Sequence, residues 1–305
     1  MTDPSTVART PLTWLYAPGD RPDVVAKALV AGADVVVIDL EDAVAPDRKE
    51  YARAATAERL TAPQPLPVHV RVNAVDGPLA AVDLAAMAGL AGVSGLRLPK
   101  VTRPAQVRTV ARQYAPVPQG WAGADPRTGE CCGPGDGAGT PEVPALHPLL
   151  ESALGIEQAF AIAEAHPAVR GLALGEADLR ADLGVREDSA LDWARGRVVV
   201  AARAAGLAAP PQSVFPDVRD LDGLAASCAR GRALGFFGRM AIHPRQLPVI
   251  AKAFLPSDEE VARAREVLAA AAGNEGAQAL PNGHFIDAAV VRAAHHTLTT
   301  ADPAC

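Results

Sequence analysis

At 305 residues, 49% hydrophobic and 21% charged, the chain has material for a large buried core and lacks the polar excess of a disordered one. A formal charge of −6 argues against a nucleic-acid or anionic-membrane surface, although a local basic patch still suits an anionic small ligand. No apolar segment approaches the ~18 residues of a membrane-spanning helix, and Met1 to Pro11 lacks the apolar run of a secretory signal, so a cytoplasmic enzyme is expected.

Short apolar runs alternate with helical runs, the pattern of a parallel α/β sheet. The first strand is Thr13 to Tyr16; Pro18-Gly19-Asp20 turns the chain, and Pro22 opens a helix that Gly32 ends. The second strand, Val35 to Ile38, runs into Asp39-Leu40-Glu41-Asp42, and a helix follows from Pro46 to Leu60. Val68 to Val72 is the third strand and carries Arg71; a helix over Leu79 to Leu90 comes next. The fourth strand, Leu96 to Leu98, stops at Pro99-Lys100 before a helix from Pro104 to Tyr114. Residues 116–144 form an irregular insertion with a Gly/Pro-rich stretch and the adjacent pair Cys131-Cys132. With Cys228 and Cys305, these make neither a disulfide framework nor a zinc spacing.

The alternation resumes with a fifth strand ending at Glu151 and a helix over Ile156 to Glu164. The sixth strand, Leu172 to Leu174, enters Gly175-Glu176-Ala177-Asp178 and then a long helix from about Asp188 to Ala205. Gln212 to Phe215 and Arg239 to Ile242 read as strands seven and eight, with a helix over Asp217 to Leu234 between them. Eight strands make a (β/α)8 barrel over residues 1–250 the simplest topology, with an open doubly wound sheet as the alternative. Residues 251–305 are a C-terminal helical extension of the kind that caps a barrel or reaches a neighbouring subunit.

Six of these runs end in a residue able to bind a metal or handle a proton, which is how a parallel barrel builds an active site. Glu151 and Asp178 end neighbouring strands, which lie ~4.8 Å apart. With no His or Cys beside them they suit a hard cation such as Mg²⁺, or else each caps a helix or pairs with a base. Asp39, Glu41 and Asp42 repel one another unless a cation or an arginine relieves them; they can orient metal-bound water as a second layer, or cap the next helix. Arg71 can satisfy that cluster or bind a substrate oxygen through its planar fork, and Lys100 can act as a point charge. Arg21 and Lys27, near the loop after the first strand, can meet a phosphate or be ordinary surface charges.

Leu15-Tyr16-Ala17-Pro18-Gly19-Asp20-Arg21-Pro22, Ile38-Asp39-Leu40-Glu41-Asp42-Ala43-Val44, Arg71-Val72-Asn73 and Leu98-Pro99-Lys100-Val101 are collinear with Asp178-Leu179, Ala181-Asp182-Leu183-Gly184 and Ala241-Ile242-His243-Pro244-Arg245-Gln246. In this series the chain resembles the citrate lyase β-subunit-like proteins, the CoA ester lyases of the HpcH/HpaI aldolase superfamily. The resemblance implies a (β/α)8 barrel of the phosphoenolpyruvate/pyruvate superfamily, usually trimeric. It implies a Mg²⁺-dependent carbon–carbon lyase that converts a malyl-, citramalyl- or citryl-type CoA thioester into acetyl-CoA and a 2-oxoacid. Carried over by motif, Arg71 binds substrate, Glu151 and Asp178 hold the metal, and Arg21 and Lys27 lie near the CoA. The resemblance also makes Asp287, in Gly283-His284-Phe285-Ile286-Asp287, the candidate for the catalytic acid that such members supply to a neighbouring subunit.

Two departures stand out: Glu151-Ser152 replaces the usual Glu-Thr, and Gly175-Glu176-Ala177-Asp178 exchanges the middle pair of Gly-Ala-Glu-Asp. The alternatives are a citryl-thioester lyase subunit acting on an acyl-carrier thioester, an aldolase of free hydroxy-oxoacids, and a catalytically silent metabolite-binding barrel.

Overall fold

A computed structural model describes residues 10–114, 143–272, 278–279 and 285–301. Most of the 116–144 insertion, with Cys131 and Cys132, lies outside the described residues, as does Cys305. Two compact units divide the chain, one spanning Leu12–Ile250 and the other holding the chain from Ala251 onward.

The larger unit is an α/β fold around a curled parallel sheet. Its strands are β1 Thr13–Pro18, β2 Val35–Asp39, β3 Val68–Arg71, β4 Gly95–Leu98, β5 Ala145–Leu150, β6 Ala173–Leu174 and β7 Arg239–Ala241, in the order β6-β5-β4-β3-β2-β1-β7. Helices cross back between them: α1 Pro22–Ala28, α2 Lys49–Arg59, α3 Ala80–Met87, α4 Pro104–Arg112, α5 Ala153–Glu157, α6 Ala159–Ala163, α7 Glu176–Leu183, α8 Asp192–Ala204 and α9 Leu221–Ala233; α10 Leu247–Phe254 follows β7. Every residue of β2 is buried, as a parallel strand covered on both faces requires.

Side chains alternate along each strand, so one set faces the inside of the curl and the other the helices. Trp14, Val35, Val37, Leu149, Ala173 and Met240 form the inner cluster, with Tyr16 packed against it. Val36, Ile38, Val70, Leu96 and Leu98 fill the opposite face. Each such residue removed from water contributes about 1.5–3 kcal/mol.

The expected seventh strand, Gln212 to Phe215, is not a strand but a single parallel bridge from Gln212 to Arg239 on β7. Pro210, Pro211 and Pro216 bracket it, and proline has no N–H to donate to a ladder. Side chains hold it instead. Arg239 donates from Nε to Ser213 O at 2.9 Å, and from Nη1 to Gln212 Oε1 at 3.2 Å and Ser227 Oγ at 2.9 Å. Gln246 Nε2 donates to Phe215 O at 2.9 Å. The Ser213 hydroxyl bonds the carbonyl of Leu174 on β6 and accepts from Glu176 N, so the segment touches both edge strands of the sheet.

In the C-terminal unit, α11 Asp258–Ala271 starts with a reciprocal cap, in which Ser257 Oγ accepts from Glu260 N and Glu260 Oε2 from Ser257 N. Gln278–Ala279 (β8) pairs antiparallel with Phe285–Ile286 (β9), and α12 Ala288–Ala301 packs on α11 through Ala264, Val267, Ile286 and Ala294. No helix among the described residues is long and apolar enough to cross a membrane.

One buried ion pair ties the end of β3 to the helical layer. Asp83 on α3 accepts from Arg53 Nε at 2.7 Å, from Asn73 N at 2.9 Å and from Asn73 Nδ2 at 2.6 Å, and it is fully buried. Replacing it strands a guanidinium and two amide donors. Asp83→Ala is therefore expected to lower unfolding free energy by about 3–5 kcal/mol, read from urea denaturation midpoints against wild type.

Candidate active site

Charged residues gather at the C-terminal ends of β2, β3, β4 and β5, where backbone leaves the sheet and water can reach. Asp39 ends β2 and lies in register with Arg71 at the end of β3. Arg71 grips it with two parallel bonds, Nε to Oδ1 at 2.8 Å and Nη2 to Oδ2 at 2.6 Å. Asp39 also caps the following turn by accepting from Glu41 N and Ala43 N. Asp39 therefore closes the turn after β2 and is paired with Arg71 at the same time.

The third guanidinium nitrogen, Arg71 Nη1, donates to Asp42 Oδ2 at 3.4 Å and lies 3.1 Å from Glu41 Oε2 without hydrogen-bond geometry. Burial pulls the Arg71 pKa down, but the Asp39 bonds outweigh it and the net shift is upward, so this arginine stays charged. Its guanidinium sits over the Tyr16 ring at 5.2 Å. Burial raises the Tyr16 phenol against the pull of Arg97 and Arg71, so the phenol is neutral.

Lys100 gains the role its sequence position left open. It is the only non-glycine described residue with positive φ, at 56°, a left-handed conformation that costs on the order of 1–3 kcal/mol. That turn does two things. It points the backbone N–H at Glu151 Oε2, 2.7 Å away, and sends Nζ to Glu41 Oε1 at 2.8 Å. The Glu41 bond raises the lysine pKa, so Lys100 is a fixed cation and a poor base. Glu41 is itself raised, by burial ahead of the neighbouring charge of Asp42.

Glu151 ends β5 and is buried. Burial first, and then the carboxylate of Glu41, push its pKa up to about 7; the Lys100 N–H and Arg71 pull the other way, and Asp178 adds to the rise. A side chain at Gly175 would collide with the Glu151 carboxyl group, so glycine is required there for the carboxylate to rest against the start of α7. Asp178 stands in the first turn of that helix and is exposed.

Glu176, the exchanged neighbour, is turned away: Arg195 on α8 holds it at 2.6 Å and 3.0 Å, beside Asp188 and Asp192. The sequence reading had no signal for this clasp, because Arg195 lies nineteen residues on and a turn into another helix.

The remaining sequence candidates are placed less centrally. Arg21 is exposed at the N-terminus of α1. Lys27 is six residues further along, ~9 Å down the helix axis, and pairs with Asp23 at 3.7 Å in solvent. His243 accepts from Arg245 N and caps a short turn. In the C-terminal unit, Asp287 Oδ1 accepts from Ala289 N and Val290 N, a helix cap for α12.

The donor set suits a hard dication. Among the described residues there is no group of three or more His, Cys, Asp or Glu side chains that could form a closed metal cage. Glu151 with Asp178 offers two carboxylates whose mutual repulsion a dication relieves, the usual protein share for Mg²⁺ with substrate oxygens and water completing the shell.

The chain is similar to known proteins. The family described as HpcH/HpaI aldolase/citrate lyase matches residues 12–244. A citrate lyase subunit beta-like protein of Mycobacterium tuberculosis is 36% identical, over 95% of this chain and 96% of its own. An L-malyl-CoA/beta-methylmalyl-CoA lyase of Cereibacter sphaeroides is 30% identical over 95% and 94% respectively. Among solved structures, CitE of M. tuberculosis in complex with magnesium, acetoacetate and coenzyme A superposes with a TM-score of 0.76 at 34% identity, covering 96% of this chain and 98% of that one.

A carboxyl group with its pKa raised to about 7 is protonated below that value and must lose the proton to bind a cation. Mg²⁺ affinity, measured by calorimetry, is expected to fall as pH drops through 7, approaching tenfold per unit below it. Glu151→Gln should weaken binding and flatten this dependence. A pH-independent wild-type affinity between pH 6 and 8 would contradict the assignment.

Proposed function

The chain belongs to the HpcH/HpaI aldolase/citrate lyase family, and on that premise we propose that it is a Mg²⁺-dependent carbon–carbon lyase of CoA thioesters. The substrate is a 3-hydroxyacyl-CoA such as malyl-CoA or citramalyl-CoA, released as acetyl-CoA and a 2-oxoacid, or formed from them. One observation carries the reading: a buried carboxylate held near neutrality sits beside a second carboxylate and an arginine at the strand ends of a parallel sheet.

Glu151 and Asp178 are the metal ligands in this reading. Bound Mg²⁺ supplies Lewis acidity that eases loss of the substrate hydroxyl proton. Asp39 fixes two nitrogens of Arg71, Nη1 faces Glu41 and Asp42, and the guanidinium so held offers its charge to the oxoacid oxygens as negative charge develops there. Asp39, Glu41 and Asp42 act as support: Glu41 locks Lys100, and Lys100 orients Glu151. When the carbon–carbon bond breaks, its electron pair passes to the thioester α-carbon, and Asp287 returns a proton there. Arg21, at the rim, meets a phosphate of the CoA; Lys27 is the weaker partner, given its place down α1.

The same reading includes a closed (β/α)8 barrel over residues 1–250, with Gln212–Ser213 in its seventh strand position, between β6 and β7. The bonds of that segment to both β6 and β7 support it. It includes residues 251–305 as an extension serving a neighbouring subunit of a homotrimer, and a cytoplasmic location.

The test is to incubate the purified protein with Mg²⁺ and malyl-, citramalyl- or citryl-CoA and follow acetyl-CoA by mass spectrometry. Release from at least one, abolished by chelation, is expected; release from none would sink the lyase reading. Asn caps a helix as well as Asp, so Asp287→Asn keeps α12 intact and tests the proton transfer alone. It is expected to lower kcat about 10²-fold or more, and an unchanged kcat removes Asp287 from the mechanism.

A further inference from the structure

Arg97 carries the one interior charge at the strand ends that the roles assigned so far leave unused. It lies on β4, in register with Arg71 on one side and His147 on the other, and is 1% exposed. Among the described residues no carboxylate lies within ion-pair distance of it, and its Nε is buried without a hydrogen-bond partner. Arg71 and Lys100 contrast sharply, since Asp39, Glu41 and Asp42 surround them.

The neighbours of Arg97 do not balance its charge. His69 and His147 stack with ring centres 4.5 Å apart, and Nδ1 of His69 is also buried without a partner. Burial, with the charge of Arg97, holds both rings well below their usual pKa, so both are neutral. Tyr16 is likewise a neutral phenol. A lone guanidinium at this depth carries an uncompensated desolvation cost, which a bound anion would offset.

We propose that Arg97 is a second anion anchor of the site, selecting an oxoacid half that carries an additional carboxylate: a 2-oxo diacid over a 2-oxo monoacid. This rests on the lyase reading above and narrows its substrate, since malyl- and citramalyl-CoA release 2-oxo monoacids whereas a citryl-type CoA thioester releases a 2-oxo diacid. All three side-chain nitrogens of Arg71 already face carboxylates, two on Asp39 and the third at Glu41 and Asp42, so a further carboxylate needs another cation. Adjacent parallel strands are ~4.8 Å apart, comparable with the separation of the carboxylates in a four-carbon diacid, and Arg71 and Arg97 are register neighbours.

Calorimetry on the full-length protein with Mg²⁺, titrating pyruvate and freshly dissolved oxaloacetate, tests the anchor apart from thioester turnover. Wild type is expected to bind oxaloacetate at least tenfold more tightly than pyruvate. Arg97→Met is expected to lose most of that preference while holding pyruvate within threefold. A wild type that binds the two equally, or an Arg97→Met variant that keeps the preference, overturns the proposal. If the variant does not fold, the wild-type ratio decides alone. Binding of pyruvate without preference leaves the lyase reading standing and removes Arg97, whereas binding of neither acid removes both.

Discussion

The two-point grip of Arg71 on Asp39 organises the mouth of this sheet. From it a line of contacts runs across the ends of five strands: Arg71 to Glu41, Glu41 to Lys100, the Lys100 N–H to Glu151, and Glu151 against Gly175. Each charge is oriented by the next, and the line stops at Glu151, the group that still lacks a cationic partner. In water such contacts contribute little. At the mouth of a parallel sheet, with apolar strands below and helices around, each carries more weight, and the loss of one partner strands the rest.

Much of this was legible in the sequence. The apolar runs ending in Asp39, Arg71, Lys100 and Glu151 gave strand ends and chemistry together, because a parallel strand buried on both faces confines charge to its tip. Where the sequence was silent, the deciding contacts were long-range or backbone-borne. Nothing in Pro99-Lys100 signals a left-handed residue, yet that conformation delivers the N–H to Glu151. Arg97 did carry a signal, a charge two residues before a strand's closing proline and therefore on the same side as Arg71, but apolar pattern matching reads past it.

The segment at Gln212–Phe215 forms one bridge rather than a strand ladder for a related reason. Its apolar content fits one, but the flanking prolines withdraw the donors a ladder needs, and Arg239 and Gln246 supply side-chain donors instead. The exchanged Glu176 follows the same logic: once Arg195 exists on α8, the acid at the start of α7 is drawn into a helix-to-helix clasp. That leaves Asp178 on the turn that faces Glu151.

The strand order has a consequence for biosynthesis. β1 is the first strand made, yet it lies between β2 and β7 in the finished sheet, and Trp14 pairs with Met240. While the chain leaves the ribosome, one side of β1 remains an open row of amide and carbonyl groups until nearly the whole larger unit has been synthesised. The nascent chain is thus exposed to wrong strand partners for most of its translation, and that edge is where a chaperone holding the emerging protein has most to protect.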